Sequence, residues 1–253
     1  MFSLSGFFFR LTNNRLINNL LILLHMDVWM VDRFAIYKRV VPDVQLSPQE
    51  MAGFSRNREV QEAIDKTHDD LQQVAAEMVK PNGSILDIGC GAGAYLTHFV
   101  KKYTVTGIDL NRTMIEKGKT LFPDVEFIYD DFLKYQFSKK FDYIYSISVL
   151  EFIPPGRLAV FFAKIAALLN ENGILFLHYP HALDKKSLHF PDLYYIEYSP
   201  AKIAAAALPY FTTVSHNHAF DNRIIEHFDD NPYNPGTRTF KNGYLLIARK
   251  KQN

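Results

Sequence analysis

The stretch Ile85-Leu86-Asp87-Ile88-Gly89-Cys90-Gly91-Ala92-Gly93-Ala94 decides how this chain is read. An apolar run of strand length passes into three glycines at alternate positions, and a helical pattern follows. Glycine adopts positive φ without strain and carries no Cβ, so backbone N–H groups in such a loop can approach a flat or phosphorylated ligand closely. Gly89, Gly91 and Ala94 also satisfy the dinucleotide pattern G-x-G-x-x-G/A, so the loop alone leaves the ligand open.

Outward from the loop, short apolar runs alternate with helical stretches. Strands are predicted at Ser84–Ile88, Val105–Asp109, Val125–Tyr129, Phe141–Ile147, Gly173–Tyr179, Phe211–His218 and Gly243–Lys250. Helices are predicted at 94–102, 112–121, 155–169 and from Ser199-Pro200 to about Ala207. This alternation predicts an α/β architecture, a doubly wound, seven-stranded and mostly parallel sheet. Only a polar loop separates the last two strands, so the last strand is expected to be antiparallel. Upstream, Val60, Ile64, Leu71, Val74, Ala75 and Met78 recur at helical spacing, and Pro81-Asn82-Gly83 stops that helix. Ser47-Pro48-Gln49-Glu50 reads as a helix start, with Ser47 as N-cap and Glu50 closing a capping box. The domain proper is expected over 46–253, with substrate-side loops at about 180–200 and 219–240.

Residues 1–45 differ in character. Asp27 is the first carboxylate, and the apolar run 16–24 is shorter than the ~20 residues needed to span a bilayer. Three readings stand: a start codon placed too early, with Met26 and Met30 as alternatives; a membrane-surface or targeting segment; or a packing helix. The 253 residues hold 28 Lys and Arg against 27 Asp and Glu, so no broad basic field exists for a nucleic-acid backbone, although a local patch is compatible with this balance. The single cysteine excludes an intrachain disulfide and fits a reducing, cytoplasmic setting.

Asp109 ends the second strand twenty residues after Gly89, where a carboxylate can accept ribose hydroxyls or cap the next helix. Asp130-Asp131-Phe132 ends the third strand, where a carboxylate can take the exocyclic amine of adenine and Phe132 can lie against the ring; a solvated acidic turn is the plainer alternative. No third hard ligand adjoins the two aspartates, and His178/His181 and His216/His218 have zinc-like spacing without cysteine support, so no metal is expected.

In this company the glycine stretch resembles the signature loop of the class I S-adenosylmethionine-dependent methyltransferases. Gly107-Ile108-Asp109 resembles that family's ribose-binding strand end, Asp131-Phe132 its adenine-contacting pair with Asp130 as the alternative register, and Phe141–Ile153 its fourth strand and the segment beside the methyl group. The resemblance covers roughly residues 71–250. It implies a Rossmann-like methyltransferase fold and S-adenosylmethionine as methyl donor. The implied cofactor residues are Asp87, Gly89, Cys90, Gly91 and Gly93 in the loop; Asp109, Leu110 and Met114 after the second strand; Asp130, Asp131 and Phe132 after the third; and Ser146 on the fourth. Asp87 is expected to help fix the loop near the methionine end of the cofactor. Family members often carry a histidine where this chain has Phe152.

The acceptor is expected over the fourth and fifth strand ends, with His178 or His181 as general base or as structural histidines, and Glu151 as a further catalytic candidate or a helix N-terminal carboxylate. A small-molecule acceptor is favoured over nucleic acid by the charge balance and by Ser146-Ile147-Ser148-Val149, which lacks an Asn-Pro-Pro-Tyr type of motif. The alternatives are a lipid or quinone acceptor reached through membrane contact of the N-terminus, a non-catalytic cofactor-binding protein, and a nicotinamide-dependent oxidoreductase. The sequence does not specify an oligomeric state.

Overall fold

The computed structural model describes residues 58–182, 198–218, 224–229 and 236–252. The N-terminal extension, the helix start at 47–50 and parts of both substrate-side loops lie outside these residues. Helix α1 (Arg58–Met78) leads into β1 (Ser84–Ile88). There follow β2 (Thr104–Asp109), α2 (Arg112–Leu121), β3 (Glu126–Tyr129) and β4 (Phe141–Ile147). The second half holds α3 (Leu158–Leu168), β5 (Leu169–Ala182), α4 (Pro200–Ala207), β6 (Phe211–His218), β7 (Ile224–Asp229) and β8 (Gly236–Lys250).

The strands form one sheet in the order β3-β2-β1-β4-β5-β8-β6, with β7 also pairing to β8. The first five strands pair in parallel. β8 runs antiparallel to β5, β6 and β7. Strand order reverses between β1 and β4, which places the ligand crevice of such a sheet outside the carboxyl ends of these strands. Side chains alternate between two covered faces. Leu86, Ile88, Ile144, Leu175 and Leu246 pack with Phe161, Phe162 and Ile165 of α3 and Ile203 of α4. Ile85, Tyr143, Tyr145 and Phe176 pack with Leu71, Val74 and Ala75 of α1.

Local chemistry sets the helix starts. Asn111 caps α2, its side chain accepting from the Met114 N–H at 3.1 Å. Ser199 caps α4 by accepting from the Lys202 N–H, with Pro200 in the first helical position.

Three expectations are corrected. The helix predicted over 94–102 is a series of turns around a short 3₁₀ segment, Leu96–His98. Leu96 and Phe99, three apart, are both buried, and Phe99 N–H bonds to the Leu96 carbonyl in a tight i→i+3 link. The helix predicted over 155–169 splits into a 3₁₀ turn at Pro155–Arg157 and α3. The polar loop before the last strand contains β7, so the described residues hold eight strands where seven were predicted, and β5 and β8 are longer than their apolar runs. β8 pairs with three strands, and its backbone bonds extend it beyond its apolar stretch.

Gly118 lies in α2 against Phe127 of β3, where an added Cβ would stand 2.6 Å from the ring. Glycine to alanine within a helix ordinarily gains up to about 1 kcal/mol in propensity. Crowding a packed core costs about 1–3 kcal/mol, so the Gly118→Ala variant is expected to unfold at lower temperature than the parent in a calorimetric scan.

Candidate functional site

The glycine loop leaves β1 with all three glycines at positive φ: +76° at Gly89, +53° at Gly91 and +88° at Gly93. A side chain at Gly89 would collide with Val149, its Cβ falling 2.1 Å from Cγ2, whereas a Cβ at Gly91 would point into open space. The Ile108 carbonyl accepts from the N–H groups of Gly89 at 2.8 Å and Cys90 at 3.2 Å. The Asp109 carboxylate accepts from Gly91 N–H at 2.8 Å through one oxygen and from Asn111 N–H at 2.7 Å through the other. The loop is thus fastened by β2. Asp87 is buried on the α1 side of the sheet and accepts from the Tyr145 hydroxyl at 2.9 Å. Asn111 rather than Asp109 caps α2.

A predominantly apolar cleft opens at the carboxyl ends of β1, β2, β3 and β4. Gly89, Asp109, Leu110, Asp130, Asp131 and Phe132 line it, joined by the Val149–Pro154 segment through Val149, Phe152, Ile153 and Pro154. Cys90 is buried, its sulfur lying over Gly107. The Ser146 hydroxyl ties β4 to β1 by donating to the Ile88 carbonyl at 3.1 Å. Met114 and Gly93 belong to the helix start and the loop rather than to the lining. Leu133 and Arg157 line the cleft without having been anticipated from sequence. The signal for Arg157 was Pro154-Pro155, which starts a helical turn directly after the fourth-strand segment.

Burial raises the Asp109 pKa, against the lowering effect of its backbone hydrogen bonds. Asp131 is largely buried; it accepts from Leu133 N–H at 2.9 Å and lies 3.7 Å from the Lys134 ammonium, so this carboxylate organises its own turn. Asp130 accepts from Asp131 N–H and remains exposed at the rim. Ser148 lines the cleft at φ +54°, an uncommon conformation for a residue with a side chain, and its N–H donates to the His178 carbonyl at 3.0 Å.

Beside the cleft, Glu151 sits in a 3₁₀ turn after β4 and is 4% exposed. Its Oε2 has no hydrogen-bond partner among the described residues, and desolvation pushes its pKa up to about 8. His178 pairs with Ile147 at the end of β4, and desolvation pulls its pKa down to about 4. Its Nε2 would lie 2.7 Å from a Cβ on Gly243 of β8, so the glycine makes room for the imidazole. Both groups are therefore neutral near pH 7. His181 pairs with Lys241 where β5 and β8 run past the body of the sheet, and its side chain lies outside the described residues. Among the described residues, no cluster of three or more His, Cys, Asp or Glu could hold a metal ion.

This geometry finds its counterpart in known proteins. Residues 85–173 match the methyltransferase domain family. A putative methyltransferase of Invertebrate iridescent virus 6 is 32% identical, the match covering 50% of this chain and 46% of that protein. Trans-aconitate 2-methyltransferase of Enterobacter is 24% identical over 54% of this chain and 55% of its own length. N-methyltransferase 4 of Papaver somniferum is 31% identical over 53% and 42%, respectively. The chain spans about half the length of these curated relatives. Among solved structures, N-methyltransferase NodS from Bradyrhizobium japonicum, in complex with S-adenosylhomocysteine, shares the fold at a TM-score of 0.56 and 14% identity, covering 86% of this chain and 97% of that one. The doubly wound sheet with an antiparallel β8 is the fold that this chain shares with these methyltransferase structures. The chain is similar to S-adenosylmethionine-dependent methyltransferases, and its residues 85–173 carry the match to the methyltransferase domain.

The buried acids make stability depend on pH. Glu151 and Asp87 both have folded-state pKa values raised to about 8, so the folded state holds protons that the unfolded state has already released above about pH 5. The stability they contribute is complete below the unfolded values and is lost as pH rises toward 8. His178, neutral in both states above its unfolded value, adds no slope there. Thermal midpoints are expected to fall between pH 6.5 and 8, each acid contributing up to about 1.4 kcal/mol per pH unit. Glu151→Gln should flatten the fall, and an unchanged slope in that variant would contradict the assignment.

Proposed function

We propose that this chain transfers a methyl group from S-adenosylmethionine to a small-molecule acceptor. The observation that carries the reading is the Asp109 carboxylate, held by two backbone N–H groups at the mouth of an apolar cleft that the glycine loop leaves open. The residues fit the cofactor: Asp109 for the ribose hydroxyls, Asp130 or Asp131 with Phe132 for adenine, and the glycine loop for the methionine end. Gly91 supports this fit, because the space a Cβ would take there is empty.

When bound, the cofactor supplies a methyl group on a positively charged sulfur. That methyl would be open to displacement by an acceptor lone pair, with the carbon–sulfur bonding pair left on sulfur. This chain's contribution is position: the stiff loop on one side and Val149, Phe152 and Ile153 on the other hold the reacting groups in line and exclude water. Glu151, protonated near neutrality, and His178, neutral and weakly basic, suit an acceptor that needs little deprotonation. His181 remains a candidate base. The relatives include enzymes named for a small acid and for amine nitrogens, which supports a small acceptor. We take the methyltransferase domain as 46–253 and the setting as cytoplasmic, the latter from cysteine usage. Among the described residues no helix is long and apolar enough to cross a membrane.

Calorimetric titration with S-adenosylhomocysteine tests the cofactor site. The parent protein is expected to bind in the micromolar range, with Asp109→Ala weakening binding by about 1–3 kcal/mol. Absence of heat in the parent, with binding of a nicotinamide dinucleotide instead, would overturn the reading. Binding without turnover across an acceptor panel of acids, amines and phenols would favour a non-catalytic cofactor-binding protein.

A further inference from the structure

Strand polarity gathers positive charge at the end of the sheet opposite the cleft. Lys80 precedes β1 and Lys140 precedes β4, both at strand starts. β8 runs the other way, so its last residues, Arg249 and Lys250, and the following Lys251 arrive at this same end. The groups are close enough to act on one another. Burial lowers the Lys250 pKa first and the like charge of Lys140 lowers it further, against the opposing pull of Glu171. Backbone carbonyls hold these chains in place: Lys250 Nζ donates to the Leu169 carbonyl at 2.8 Å, Lys251 Nζ to Leu208 at 2.6 Å, and Arg249 to Asn172 at 3.4 Å. None of these acceptors cancels the charge. Acids offset part of this charge: Asp142, which accepts from Ser84 and Asn170, acts on Lys80, Glu171 acts on Lys250, and Glu126 pairs with Lys139, so the excess rests on Lys140, Arg249 and Lys251.

The basic cluster has apolar neighbours. Leu208, whose carbonyl takes Lys251, is 64% exposed, and Val214, which shares a shallow depression with Arg249, Lys250 and Lys251, is 49% exposed. Exposed aliphatics beside fixed cations suit a phospholipid surface, where headgroups meet the charges and the aliphatics enter the interface. Single-stranded nucleic acid calls instead for aromatic stacking platforms. Tyr129, the one exposed aromatic among the residues whose burial is described, ends β3 at the opposite end of the sheet. The carboxylates of Asp109, Asp130 and Asp131 also lie at that opposite end, so a negatively charged surface attracts one end of the domain and repels the other.

We propose that the strand-start end of the sheet, through Lys80, Lys140, Arg249, Lys250 and Lys251 with Leu208 and Val214, docks on an anionic phospholipid surface. The cofactor cleft then faces away from the bilayer, so its acceptor arrives from the aqueous side. This surface is separate from any membrane contact made by the apolar N-terminal segment and does not depend on the identity of the acceptor.

Cosedimentation of the full chain with vesicles tests the proposal. Vesicles of equimolar phosphatidylglycerol and phosphatidylcholine are expected to bind the protein at low salt and release it as salt rises, while pure phosphatidylcholine binds far less. Each basic residue at such a surface is worth about fivefold in partitioning, so K140Q/K250Q/K251Q should bind roughly a hundredfold more weakly. Because Lys250 and Lys251 also bond to carbonyls, K80Q/K140Q serves as a second variant, with a loss of about twenty-five-fold expected. Retained binding of S-adenosylhomocysteine shows that the variants are folded. L208S/V214S should weaken binding while keeping its salt dependence. Salt-insensitive binding to both vesicle types, retained in the charge variants, would overturn the proposal in favour of the N-terminal segment. Tighter binding to a fluorescent single-stranded oligonucleotide than to anionic vesicles would overturn it in favour of nucleic acid. No binding to anionic vesicles at low salt would end it.

Discussion

The Asp109 carboxylate joins the parts of this molecule that matter for function. One oxygen receives Gly91 N–H and the other Asn111 N–H, so the glycine loop after β1 and the cap of α2 hang from a single side chain at the end of β2. A loop whose glycines lie at positive φ would otherwise sample many conformations, and ordering it costs entropy. The carboxylate offsets part of that cost with two charge-assisted bonds. Asp109 also lines the cleft, so the group that shapes the loop borders the space open to a ligand.

The cleft divides its labour between backbone and side chains. The glycine loop, the Ile108 carbonyl and the positive-φ Ser148 set the floor, while Phe132, Val149, Phe152 and Ile153 make the walls. Ionisable groups near it are kept neutral by burial: Glu151 and Asp87 hold protons, and His178 lacks one. A low-polarity pocket of this kind suits transfer from a cationic donor, because charge is dispersed as the reaction proceeds and water is excluded. Gly243 belongs to the same economy of space, since a larger residue there would displace the His178 ring.

Much of this was legible in the sequence. The Ile85–Ala94 stretch, Asp109 and Asp131-Phe132 gave the fold and half of the anticipated cofactor residues as cleft lining, because strand ends in parallel sheets are fixed by short-range pattern. The remaining six could not be placed by spacing alone. Ser146 bridges two strands, Asp87 turns to the opposite face, and Cys90 packs on Gly107, each decided by which side of the sheet a residue occupies beside its neighbours. The 94–102 segment misled because two apolar residues three apart fit either helix or tight turns. β7 was hidden because its pairing with β8 is set by backbone bonds across a polar loop. Arg157 was hidden because its approach to the cleft depends on the direction in which a proline-initiated turn leaves β4.

The placement of β8 between β5 and β6 has a consequence for how the chain comes into being. Translation delivers β6 and β7 before β8, yet both pair with β8 in the described sheet. While the chain is still emerging, β1 to β5 can already assemble from neighbouring segments, but β6 and β7 must wait with unpaired backbone edges. The glycine loop and Asp109 can therefore meet early in synthesis, whereas the β5 flank is paired only once β8 has followed β6 and β7.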